Sequence, residues 1–180
     1  MKKIKHLSRR ACYRHTRVEA MCIFITFDDL IDRLEDLIVD VVDRVLKHPE
    51  GRHLLYEVNP VEANVQPLKK PFKRMTYSDC IEWLQQNAIN NDLTGKHFEF
   101  GDELYEEIRL KIINEINEPI IFYRFPNDCR FAEVNISMPH FGTIASGSMK
   151  ITDYKQLEEN FRKNDLKPES FYWYLDQVSL

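Results

Sequence analysis

The chain has 180 residues, 43% hydrophobic and 12% aromatic, a composition that fits one globular domain with its own core. It contains no run of 18 apolar residues, which excludes a membrane-spanning helix. Net charge is −4, yet residues 1–17 hold Lys2, Lys3, Lys5, Arg9, Arg10, Arg14 and Arg17 and no acid, so a +7 arm precedes a remainder of −11.

A segregated basic arm invites a polyanion. Three readings of it stand side by side: a strand and loop facing a nucleotide or RNA, an arginine-rich mitochondrial presequence, and a solvated terminus. Residues 26–47 then form the clearest local signal. Thr26 with Asp29 three residues on makes a helix start, and Asp28 and Asp29 suit the positive end of the dipole. Leu30, Ile31, Leu34, Leu37, Ile38, Val41, Val42, Val45 and Leu46 fall on one stripe expected to face the core. Asp32, Glu35, Asp36, Asp40 and Asp43 fall mostly opposite, as a solvated face. Pro49 and Gly51 stop the helix, so the neighbouring His48 and His53 sit at its exit and form no metal-binding face.

Residues 58–71 carry Pro60, Pro67 and Pro71 without periodicity and read as a loop. A short strand is expected at 72–75, then a helix capped by Ser78 and running through Trp83 and Leu84. Residues 87–95 are polar and turn-forming; Asp102 is expected to start a helix reaching Ile113, followed by an apolar strand at 120–125. From 133 to 138 the chain alternates, with Val134, Ile136 and Met138 on one face and Glu133, Asn135 and Ser137 on the other, the period of a half-buried strand. Pro139 and Gly142 mark a reversal, and Thr152 caps a last helix with Tyr154, Leu157 and Phe161 on one side. The expected fold is α+β, a mixed but mainly antiparallel sheet flanked by helices. Cys12, Cys22, Cys80 and Cys129 form no CxxC pair and have no histidine at a zinc spacing, which points to free thiols in a reducing compartment.

Residues 132–151, AEVNISMPHFGTIASGSMKI, add a family signal. The segment resembles the core strand pair of class II aminoacyl-tRNA synthetases of the aspartate, asparagine and lysine group, most closely the asparaginyl enzyme. There the pattern runs roughly V-D-V-L-x-P-x-V-G-E-I-x-G-G-S-x-R; here it reads V-N-I-S-M-P-H-F-G-T-I-A-S-G-S-M-K. TFDDL, RLEDL, PFKRMTYSD, NEPI, RFP, GSM and FYWYLDQ occur in the order the asparaginyl family has them, so the resemblance covers nearly the whole chain.

The resemblance implies a partial class II catalytic domain over residues 1–180, with 1–17 a remnant of the second signature motif and no first motif, third motif or anticodon-binding domain. It implies the family reaction, ATP-dependent activation of asparagine and its transfer to tRNA, with ATP and Mg²⁺ as the family's cofactors. Carried over residue by residue, the two acidic positions that hold Mg²⁺ fall on Asn135 and Thr143, both neutral. The remnant ATP and substrate positions are Arg9, Arg10, His15, Glu19, Ser148 and Lys150, where His15 stands for an aromatic ring and Lys150 for an arginine. Lysine keeps the charge but lacks the bidentate geometry. Between Phe125 and Cys129 the chain is shorter than the family, at the place of a loop that helps form the amino-acid pocket.

On these grounds the chain is expected to be catalytically inactive, with no cofactor of its own. A non-catalytic alternative is a module that binds tRNA or a nucleotide through the basic arm. Another is a protein that docks onto full-length synthetase, with residues 171–175, FYWYL, as the contact patch. A homodimer is doubtful without the first motif. Cytoplasmic residence is expected, with the mitochondrion as the alternative. Outside the resemblance there is no G-x-S-x-G, HExxH or P-loop.

Overall fold

The computed structural model describes residues 18–58, 66–126 and 134–178. Helix α1 spans Phe27–Lys47, α2 Gly51–Val58, α3 Tyr77–Gln86, α4 Glu106–Ile116, α5 Tyr154–Lys163 and α6 Tyr172–Val178, the last preceded by a 3-10 turn at Pro168–Phe171. Strands β1 (Lys73–Thr76), β2 (Ile120–Tyr123), β3 (Val134–Met138) and β4 (Gly142–Gly147) form one sheet in the order β1-β2-β3-β4. The β1–β2 pair is parallel and the other two pairs are antiparallel, so the expected mainly antiparallel α+β architecture is observed.

The sheet is covered on both faces. On one side Ile121, Val134 and Ile136 pack with Phe72 and with Ile31 and Ile38 of α1. On the other, Ile120 and Phe122 pack with Cys80, Ile81 and Leu84 of α3 and Ile108, Ile112 and Ile113 of α4. Alternation along β2 produces this division, because neighbouring residues on a strand point to opposite faces. Gly147 at the end of β4 lets α1 approach closely: a Cβ there would lie 3.1 Å from Leu34 Cδ1 and 3.2 Å from Leu30 Cδ1.

Helix α1 starts as its sequence predicts. Thr26 Oγ1 accepts the Asp29 N–H at 3.2 Å, and the Thr26 N–H donates to Asp29 Oδ2 at 2.8 Å. Two other starts differ from expectation by the placement of the acceptor. Thr76, not Ser78, caps α3, because its N3 residue is Asp79, whose Oδ2 accepts the Thr76 N–H at 2.7 Å. Asp153, not Thr152, caps α5, accepting the Gln156 N–H at 2.8 Å, and α5 is followed by α6 rather than ending the fold. Asp102 starts no helix: its carboxylate accepts the Glu99 N–H at 2.9 Å inside a turn, and α4 begins four residues later. Helix α1 ends before Pro49 and Gly51 as expected, and Gly51 then opens α2, a helix the sequence did not signal, in a position where a Cβ would lie 1.8 Å from the Val45 carbonyl oxygen.

Two faces also differ. Glu35 is 4% exposed rather than solvated, and its Oε1 accepts the Phe72 N–H, joining α1 to the entry of β1. Conversely, Leu37, Val41 and Val45, expected in the core, are exposed; the α1 side chains that pack on the sheet are Phe27, Ile31, Leu34, Ile38 and Val39.

Candidate functional site

The residues singled out by the 132–151 motif converge on the β3–β4 hairpin. Its turn is the predicted one: Pro139 follows β3, His140 and Gly142 take φ of 65° and 78°, and the Phe141 N–H donates to the Met138 carbonyl at 3.2 Å. The His140 N–H donates to Asn114 Oδ1 at 2.8 Å, which ties the turn to α4.

Register across the hairpin fixes which side chains meet. Ser137 pairs with Thr143 and Asn135 with Ser146, with a bulge between the two pairs. Cross-strand partners share a face, so Asn135, Ser137, Thr143 and Ser146 form one patch beside Phe122 and Ile120 of β2. Ser137 Oγ and Thr143 Oγ1 are hydrogen bonded at 3.2 Å. Asn135 is 4% exposed and Ser137 fully buried, so the strand is not half-solvated as its alternation suggests; helices cover both faces of the sheet. Ser148 and Lys150 lie beyond β4 and are exposed.

Of the remaining predicted positions, Glu19 lies on an exposed segment ahead of α1. Arg9, Arg10 and His15, like the rest of the basic arm, Cys12, Cys129 and the shortened loop, fall outside the described residues. The structure therefore brings together Asn135 and Thr143. The partnership of Ser137 with Thr143 is the feature not anticipated, although counting outward from the Pro139 and Gly142 turn would have placed them opposite one another.

The chemistry of this patch is neutral. Four amide or hydroxyl side chains line it, and among the described residues no group of three His, Cys, Asp or Glu side chains is placed to hold a metal. Mg²⁺ is held by carboxylates and phosphate oxygens in a demanding octahedral geometry, so these residues do not fit it. Burial pushes the Cys80 thiol up to about 12, with the Asp79 charge adding and Arg109 opposing, which keeps it protonated. Arg109, buried on α4, has its own pKa lowered, chiefly by burial, against the pull of Glu106.

Comparison with known proteins places this hairpin in a family. The sequence matches the tRNA synthetases class II (D, K and N) over residues 5–180. The cytoplasmic asparagine–tRNA ligase of Homo sapiens is 42% identical over 183 residues, covering 94% of this chain and 32% of the relative. That of Saccharomyces cerevisiae is 36% identical, covering 96% and 33%. Among solved structures, Entamoeba histolytica asparaginyl-tRNA synthetase superposes with a TM-score of 0.75 at 32% identity, over 87% of this chain and 37% of that one. The enzyme from Pyrococcus horikoshii, at 20% identity and a TM-score of 0.67, shares the fold. The chain thus spans about a third of the length of the curated relatives it matches.

Proposed function

The chain belongs to the class II tRNA synthetases (D, K and N), and we propose that it is an asparagine–tRNA ligase-like protein that does not itself activate asparagine with ATP. The observation that carries this reading is the neutrality of the β3–β4 patch. Asn135 and Thr143 stand where the family resemblance puts two carboxylates, and the hydroxyl of Thr143 is already engaged by Ser137. Lys150 supports it further, since a point charge cannot reproduce a bidentate guanidinium. Loss of one preorganised group at a charged transition state typically costs about 2.7–4 kcal/mol, or about 10²–10³ in rate, and the loss of two costs at least that factor even with strong non-additivity.

Asparagine-dependent ATP–pyrophosphate exchange by the purified chain is the test. Exchange at the no-protein background agrees with the proposal; exchange that requires asparagine refutes it.

The +7 charge of residues 1–17 favours a second reading, a module that holds tRNA or a nucleotide through phosphate contacts, with Arg9, Arg10 and His15 as its contact residues. Affinity for tRNA that falls steeply with salt supports this reading, and salt-independent binding contradicts it. Exposed Tyr172 and Trp173 on α6 support association with a full-length synthetase chain, which light scattering of the mixture would detect. The cytoplasmic description of the relatives supports the cytoplasm as the place where the chain resides.

A further inference from the structure

The family implies a divalent cation at the β3–β4 face, and the side chains found there do not suit one. We propose that this face is a cation-free structural seam, in which Asn135, Ser137 and Thr143 serve to hold the hairpin closed. The inference shares the residue correspondence of the proposed function but concerns folding, not turnover.

Three observations carry it. Asn135 is 4% exposed and Ser137 fully buried, so neither presents an open ligand to a hydrated ion. Mg²⁺ gives up its water reluctantly and is usually bound with several waters retained, which a closed position cannot accommodate. Thr143 Oγ1 is bonded to Ser137 Oγ across the pair next to the bulge, where the ladder is locally weakened and a side-chain bond has most to add. Finally, the patch lies beside Ile120 and Phe122, which belong to the core under α3 and α4. A carboxylate at position 135 would be taken out of water beside that core, whereas an amide or hydroxyl needs only ordinary hydrogen bonds.

The seam predicts a fold indifferent to divalent cations. The full chain should melt at the same temperature in EDTA and in excess MgCl₂, and should leave the electron paramagnetic resonance signal of added Mn²⁺ that of the free ion. Thr143→Val, which keeps the shape and removes the hydroxyl, should lower the melting temperature by about 2–4 °C in both media. The pair Asn135→Asp with Thr143→Glu should melt lower still in EDTA; if that variant does not fold, Thr143→Val and the Mn²⁺ signal decide the matter. The proposal is overturned if the wild type takes up Mn²⁺ and Thr143→Val abolishes that uptake, or if Thr143→Val melts with the wild type. Mn²⁺ uptake that Thr143→Val abolishes, without pyrophosphate exchange, sinks the seam alone, and exchange without Mn²⁺ uptake in the absence of ATP sinks the functional reading alone.

Discussion

Glu35 is the residue whose replacement most sharply tests the packing of α1 on the sheet. It is 4% exposed, between Ile31 and Ile38 on the helix face turned to the core, and its carboxylate accepts the backbone N–H of Phe72, itself buried. Glu35→Ala would leave that N–H buried without its acceptor, at a cost of about 1–3 kcal/mol, and would also open space beneath the helix. For a chain of this length each kcal/mol moves the melting temperature by about 2–4 °C, so a loss of 2–3 kcal/mol corresponds to a fall of roughly 4–12 °C. Glu35→Gln keeps an oxygen acceptor of nearly the same shape and should cost about 1 kcal/mol, the difference between a charged and a neutral acceptor. Thermal melts of both variants, followed by circular dichroism at neutral pH, provide the assay. The reasoning is refuted if Glu35→Ala melts within error of the wild type, or if the glutamine variant falls as far as the alanine one.

Thr26→Ala removes the reciprocal cap of α1 and should destabilise the chain by about 0.5–2 kcal/mol in urea titration. The same cap has a pH signature. Hydrogen bonds from the Thr26 backbone and side chain hold the Asp29 pKa below its ordinary 3.8, so their stabilisation is present above that value and is lost as pH falls through the folded-state pKa. Thr26→Ala should flatten that acid limb. At the alkaline end the sign reverses: the Cys80 thiol is raised from 9.0 to about 12, so the stability tied to its neutral form is intact below 9 and declines as pH climbs toward 12. Cys80→Ala should remove part of the alkaline slope, and in the native wild type a thiol reagent should label exposed Cys22 while sparing buried Cys80 until the chain unfolds.

Much of this architecture was legible because its local signals are redundant. Helix α1 combines a capping box, acids in its first turn and Arg44 and Lys47 in its last, so its limits follow from the residues alone. The weaker starts misled where two acceptors lie close together. At α3 the acid three residues on distinguishes Thr76 from Ser78, and at α5 Gln156 stands in the same relation to Asp153. Glu35 was misplaced because its charge argued for solvent, while its spacing from Ile31 and Ile38 placed it on the buried face. For Asn135 and Ser137, alternation can identify two faces of a strand but not whether helices from elsewhere cover both, which depends on where α3 and α4 fold back. The hairpin itself was readable from Pro139 and Gly142; the Ser137–Thr143 bond needed the register that only pairing supplies. At the candidate site, the neutral character of positions 135 and 143 was plain in the sequence, and the burial of Asn135 was not.

The central claim, that this member of a synthetase family lacks the means to use ATP with Mg²⁺, is tested most directly by calorimetric titration of ATP into the purified chain in EDTA and in MgCl₂. The account predicts that magnesium strengthens nothing: both titrations are flat, or both show weak electrostatic binding to the basic arm that MgCl₂ weakens, since Mg²⁺ neutralises part of the charge of ATP. Binding that appears only with Mg²⁺ would contradict it, because a cation site would then exist on a protein whose β3–β4 face carries Asn135 and Thr143.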